Sequence, residues 1–152
     1  MVNTLTYQKE KLEDIYDEAL PIFFQHWREI SQYPDIKLEP DIASYYKKED
    51  LGICHIWTAR EDAELVGYAI FMVSFNPHYK SSKQAYQDIL YISKERRGFG
   101  KDFIRFCDDE LKKMGVQVVR HHVKFAHDWS ILLEKMGYVK EDMILSRRLD
   151  KE

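Results

Sequence analysis

The segment Asp88-Ile89-Leu90-Tyr91-Ile92-Ser93-Lys94-Glu95-Arg96-Arg97-Gly98-Phe99-Gly100-Lys101 passes from a β-prone run through two close glycines into a charged stretch. Ala85 to Ile92 has the aromatic and branched content of a strand. After the glycines, Phe103, Phe106, Cys107, Leu111 and Met114 recur with helical period, opposite Asp102, Arg105, Asp109 and Lys112. Lys112 and Lys113 suit the negative end of that helix, and Gly115 suits a left-handed stop. A glycine-rich turn between strand and helix lets backbone amides approach an anion, and the helix start adds partial positive charge. Lys94, Arg96, Arg97, Lys101 and Arg105 outweigh Glu95 and Asp102 there, a local excess of three positive charges. The segment therefore reads as a phosphate cradle or as an ordinary strand-to-helix turn with solvated arginines. It is not a P-loop, because no Gly-Lys-Ser/Thr follows, and it lacks the third glycine of a dinucleotide fingerprint.

Working outward, Leu12, Ile15, Tyr16, Ala19 and Leu20 predict a helix. Pro21 either kinks it or opens a second helix carrying Phe23, Phe24, Trp27 and Ile30. Ser31 to Pro40 reads as a loop, and Asp41 can cap a short helix to about Lys48. Ile53 to Ala59 and Leu65 to Phe75 form a hairpin around the polar turn Arg60 to Ala63. Beyond Gly115, Val116 to Lys124 predicts a strand, Asp128 a capped helix to about Met136, and Met143 to Leu149 a final strand. This order specifies one α/β domain over the whole chain, a mixed sheet with helices on both faces.

Composition limits the function. The chain has 152 residues, 23 Lys+Arg against 26 Asp+Glu and a net charge of −3. That length supports one real core, and the acidic balance argues against a broadly basic nucleic-acid binder. Only Cys54 and Cys107 are present, which suits a reducing cytoplasm and excludes a disulfide framework. No apolar run is long enough to span a membrane, and Met1 to Glu10 is polar and mixed in charge, unlike a signal peptide. There is no repeat and no low-complexity tract.

The Asp88–Lys101 segment resembles the acyl-CoA-binding motif of the GNAT superfamily of N-acetyltransferases, Gln/Arg-x-x-Gly-x-Gly/Ala after a strand. Leu132-Leu133-Glu134-Lys135-Met136-Gly137-Tyr138 resembles the family's Leu-Tyr-Glu-Lys-x-Gly-Phe segment, and the likeness is greatest to small members encoded by bacteriophages. The resemblance covers most of the chain. It implies a GNAT fold with a mostly antiparallel central sheet, and acetyl-CoA as co-substrate without a metal. It also implies an amine acceptor, small molecule or protein, and a tendency to pair as a homodimer. Tyr91, Ile92, Arg97, Gly98, Phe99, Gly100 and Lys101 are the implied coenzyme residues. Two positions depart from the pattern. Counting back from Gly98 and Gly100 puts Glu95 at the Gln/Arg position, whereas taking Arg97-Gly98 as the family's Arg-Gly keeps an arginine at the phosphates. Leu133 occupies the place of the tyrosine that protonates the leaving thiolate.

Acetyl transfer needs a base for the amine and an acid for the thiolate. Asp88, four residues before Ile92, shares its face on a regular strand and suits the base, or pairs with an arginine. His122 suits proton transfer, or packs as a hydrogen-bonded histidine. Asn76-Pro77-His78-Tyr79 precedes the coenzyme strand, where the resemblance places the border of the acceptor groove. His78 or Tyr79 is a candidate for the missing acid, with Tyr91 a further one, and Asn76 for acceptor contact; a solvated turn is the plain alternative. Trp27 and Glu29 on the early helix can line an acceptor pocket, or sit as a core tryptophan beside a surface glutamate. Adjacent His121 and His122 point oppositely on a strand and no cysteine lies near, so no metal site is expected. A catalytically weak coenzyme-binding or interaction module is the competing reading, and an RNA acetyltransferase is disfavoured by the charge.

Overall fold

The computed structural model describes residues 5–151. Five strands form a single sheet in the order β1-β2-β3-β4-β5. They are β1 (Leu5–Lys9), β2 (Cys54–Glu61), β3 (Glu64–Asn76), β4 (Tyr79–Ile92) and β5 (Val118–Arg120). Every neighbouring pair is antiparallel except β4 and β5, which run parallel. A 3-10 turn (Lys94–Phe99) and helix α3 (Gly100–Lys113) make the crossover between those two. Helices α1 (Leu12–Ile30), α2 (Ile42–Asp50) and α4 (Ser130–Lys135) complete the fold.

Strand alternation divides the core in two. Trp57, Ala59, Ala69, Phe71, Val73 and Ala85 face α3, where Phe103, Cys107 and Leu111 are buried against them. Cys54, Ile56, Tyr68 and Ile70 face the other way, onto Leu12, Ile15 and Ala19 of α1, with Ile42, Tyr45 and Tyr46 of α2 alongside. Each fully buried Trp57, Phe71 or Phe103 contributes about 1.5–3 kcal/mol by leaving water. Asp41 caps α2 by accepting from the Ser44 amide at 3.1 Å. Asp62 and Ala63 turn the β2–β3 hairpin with positive φ of 49° and 68°, the twist a two-residue hairpin loop requires.

Four local expectations meet a different outcome. Leu5–Lys9, read as a polar start, is an edge strand. Leu5 and Tyr7 reach the α3-side core, and Tyr7 stacks on Phe103 at 5.4 Å. Pro21 does not open a second helix; it lies inside one helix of 19 residues. The missing Pro21 N–H leaves one turn bond unmade, while burial of Leu12, Ile15 and Ala19 on the sheet holds the helix together. The strand expected over Val116–Lys124 pairs only at Val118–Arg120. Met143–Leu149 does not join the sheet: it is irregular and unpaired, with Met143, Ile144, Leu145 and Leu149 exposed. Side chains hold it instead, Ser146 to Tyr33 at 2.6 Å and Arg148 to Asp35 at 2.9 Å. Among the described residues, no helix is long and apolar enough to cross a membrane.

Candidate functional site

β4 and β5 touch over three residue pairs, Gln84–Val118, Ala85–Val119 and Tyr86–Arg120, and then part. Two features coincide with the parting. On β3, Ile70 pairs with Ile89 and Phe71 with Gln87, so Asp88 is the extra residue of a β-bulge. On the other side the chain leaves β5 at His121, whose ring packs edge-on against Phe71, Trp129 and Tyr138 at 5.6, 5.4 and 5.1 Å. The free edge of β4 lines an open cleft. Gln87, Asp88, Ile89 and Leu90 form one wall; His122, Lys124, His127 and Trp129 form the opposite one. Phe23, His26, Trp27 and Ile30, on one stripe of α1, close the top.

The bulge changes the reading of Asp88. Ala85, Leu90 and Ile92 all pack on the α3 side, although Ala85 and Leu90 are five residues apart. Ile89 and Tyr91 pack on the α1–α2 side. Asp88 therefore does not share a face with Ile92, because the extra residue inverts the alternation. Its Oδ2 accepts from the Tyr45 hydroxyl at 2.5 Å. Burial and this bond push the Tyr45 phenol up, so the proton stays on the tyrosine and the carboxylate stays the acceptor.

Beneath the cleft lies a half-buried polar chain. His121 Nδ1 lies 2.7 Å from Gln87 Oε1, and Nε2 lies 3.3 Å from the Tyr138 hydroxyl. Tyr138 donates to Asp108 Oδ1 of α3 at 2.6 Å. Burial raises the Asp108 carboxyl, and burial, with a smaller effect from His122, pushes the His121 imidazole down to about 4. Neutral His121 donates from Nδ1 to Gln87. Its native affinity for a proton lies below that of a free histidine, so the unfolded chain protonates first as pH falls. Stability from this residue is complete above about pH 6.5 and is lost toward about pH 4, with about 2 kcal/mol gone at about pH 5. Denaturant midpoints measured across that window should fall, and His121→Gln should flatten the fall. Equal slopes in the two proteins would remove the assignment.

The basic stretch after β4 is partly self-neutralised. Arg96 forms a bidentate pair with Glu61. Lys94 and Arg97 each approach the Glu29 carboxylate to 3.7 Å, so Glu29 stands at the basic turn while Trp27 lines the cleft. Among the described residues, Lys101 forms no ion pair, and Arg105 lies 3.9 Å from Asp102. Arg97 Nε donates to the Ile92 carbonyl at 3.4 Å, tying the turn to the end of β4. Gly98 lies within the 3-10 turn and Gly100 begins α3 with φ −56°, so neither is needed for a left-handed backbone. Their value is room: an added Cβ meets nothing within 4 Å at Gly98, and only Leu132 Cδ2 at 3.8 Å at Gly100. Phe99 between them is exposed. This open, basic turn fits a phosphate-bearing group, and the cleft beside the free β4 edge fits its extension toward Asp88.

Asp88, His122 and Trp27 thus meet at one cleft. Asn76, His78 and Tyr79 do not reach it. They form the β3–β4 hairpin tip, where Asn76 accepts from the His78 amide at 2.8 Å, about 17 Å along the strand from the bulge. His122 is exposed and stacks on Tyr86 at 6.0 Å. Tyr91 packs on His26 at 5.3 Å and on Tyr68 at 5.9 Å, and burial raises its phenol. Sequence reasoning overlooked His26, His127, Trp129 and Tyr45. His26 had a signal, since it falls on the Phe23–Trp27–Ile30 stripe; His127 and Trp129 follow β5 in irregular chain and had none. Gly67 was also missed. It faces Ile92 across the β3–β4 pair, and a Cβ there would stand 2.8 Å from the Tyr91 carbonyl oxygen.

No protein-family model matches the sequence, and no curated protein is significantly similar to it. The fold has clear likenesses. The ribosomal-protein-alanine N-acetyltransferase of Brucella melitensis biovar Abortus 2308 aligns with TM-score 0.74 and 18% identity, covering 97% of this chain and 99% of that one. Glucosamine-6-phosphate N-acetyltransferase from Arabidopsis thaliana gives TM-score 0.71 and 16% identity, covering 97% and 99%. A predicted acetyltransferase from Clostridium acetobutylicum, solved with acetyl-CoA, gives 0.72 and 17%, covering 96% and 97%. The chain has the fold of the GNAT acetyltransferases.

Proposed function

We propose that the protein is an N-acetyltransferase that carries the acetyl group of acetyl-CoA to an amine of a small molecule or protein. The observation that carries this reading is the parting of β4 from β5 at the Asp88 bulge, with an open basic turn directly after β4. The coenzyme's phosphates lie at Arg97, Gly98, Phe99, Gly100 and Lys101, where the α3 N-terminus favours negative charge. Its pantetheine arm follows the free edge of β4 past Ile92 and Tyr91, bringing the thioester to Asp88. Asp88 takes a proton from the amine, and Tyr45 holds the carboxylate in place. Leu133 is buried on α4 and has no proton to give, so the thiolate is protonated from the cleft, with His122 as the donor at hand. Titration calorimetry with coenzyme A and thiol release from acetyl-CoA with an amine panel test the reading. Binding with transfer supports it. Tight binding with no thiol release from any amine favours the non-catalytic module, and absence of binding removes both.

Self-association belongs to the same proposal. It is supported by the unpaired segment carrying Val139, Met143, Ile144, Leu145 and Leu149 on the surface. Light scattering should read twice 18.3 kDa, and a single-chain mass would overturn it. Residence in a cytoplasm, that of a host for a phage-encoded protein, is supported by the two free buried cysteines and the motif likeness.

A further inference from the structure

A second opening adjoins the cleft and has no role in coenzyme binding. Helices α1 and α2 line a narrow groove over the sheet. Its lining is almost wholly apolar, with Leu12, Ala19, Leu20, Ile42 and Ile70 among its walls. Phe23 and Ile89 line both this groove and the cleft, so the two adjoin. Tyr45 stands at the junction, and its hydroxyl is the one bonded to Asp88. Tyr68 forms part of its floor and is 1% exposed.

Resting on the acetyl-transfer reading, we propose that the acceptor is a primary amine with an extended apolar body, seated between α1, α2 and the sheet with its amine at Asp88. The apolar walls favour a hydrocarbon chain and offer no partners to the hydroxyls of a sugar, which would be stripped of water without replacement. The ammonium end meets the Asp88 carboxylate where the groove opens into the cleft. In the reaction, the ammonium gives one proton to Asp88, and the neutral nitrogen attacks the thioester carbon. The N–C bond forms, the C–S bond breaks, His122 gives its proton to the departing thiolate, and the nitrogen's second proton restores His122. Asp88 then returns its proton to water.

The test compares hexylamine, ethylamine and glucosamine as acceptors with acetyl-CoA. Each buried methylene is worth about fourfold in binding, so the four additional ones should favour hexylamine over ethylamine by about two hundredfold in kcat/KM. Ala19→Trp should fill the groove and abolish that preference, with coenzyme A affinity unchanged. Leu20→Asp, at the partly exposed rim, serves the same purpose should the larger substitution fail to fold. Calorimetry of hexylamine without acetyl-CoA reads the groove independently of turnover. Saturable binding lost in these variants supports the proposal even where no acetyl transfer occurs, the case that would sink the enzymatic reading alone. Equal kcat/KM for hexylamine and ethylamine, preference for glucosamine, or hexylamine binding unaffected by both substitutions would overturn it.

Discussion

Gly98→Asp and Gly100→Asp are each expected to weaken coenzyme A binding by about a hundredfold or more while the protein stays folded. The unchanged fold follows from space, since a side chain at Gly98 meets nothing within 4 Å and one at Gly100 meets only a leucine methyl at 3.8 Å. The lost affinity follows from charge. A carboxylate in that turn occupies the volume meant for a phosphate, and like charges about 4 Å apart repel by several kcal/mol in a partly screened site. Little cationic charge remains to compensate: Glu61 already binds Arg96, Glu29 approaches Lys94 and Arg97, and only Lys101 of the turn is without an ion pair among the described residues. Calorimetry reads the affinity, and circular dichroism with a melting curve reads the fold. Wild-type affinity in either folded variant would dismiss this turn as the phosphate site.

Asp88→Asn is expected to lower kcat by about a hundredfold or more, with KM for acetyl-CoA unchanged. Asparagine keeps the size of the side chain and can still accept from Tyr45, so the bulge and the bond at its tip persist. What it loses is the capacity to take a proton from an ammonium. Tyr45→Phe should have a smaller effect on kcat, since it frees the carboxylate without neutralising it. Steady-state rates from thiol release measure both. An asparagine variant within threefold of wild type would move the base elsewhere in the cleft, with His26 and His127 next to be tested.

The legibility of these features in the chain follows a physical pattern. Elements with local causes were readable: the α3 stripe from Phe103 to Met114, the Asp41 cap, the hairpin turn, and Gly115, whose φ is +84°. Features that depend on a distant partner were not. Leu5 and Tyr7 become a strand because β2 offers an edge and Phe103 a ring to stack on. Pro21 stays helical because the sheet buries the residues around it. The bulge at Asp88 is a mismatch between two strands, invisible in either strand alone. Met143–Leu149 has the composition of a strand, yet finds no strand edge within its own chain.

The order of elements from α1 to α3, the two-sided core and the place of the basic glycine turn were determined by the sequence itself. Period and turn chemistry act within a few residues, and those signals lie along the chain. Tertiary structure decided which side chains share a site. It inverted the strand face at Asp88, gave that carboxylate Tyr45 as a partner, turned Glu29 toward Lys94 and Arg97, and left the hairpin-tip candidates far away. The reason is register: one inserted residue, at little local cost, moves every later side chain to the opposite face of a strand.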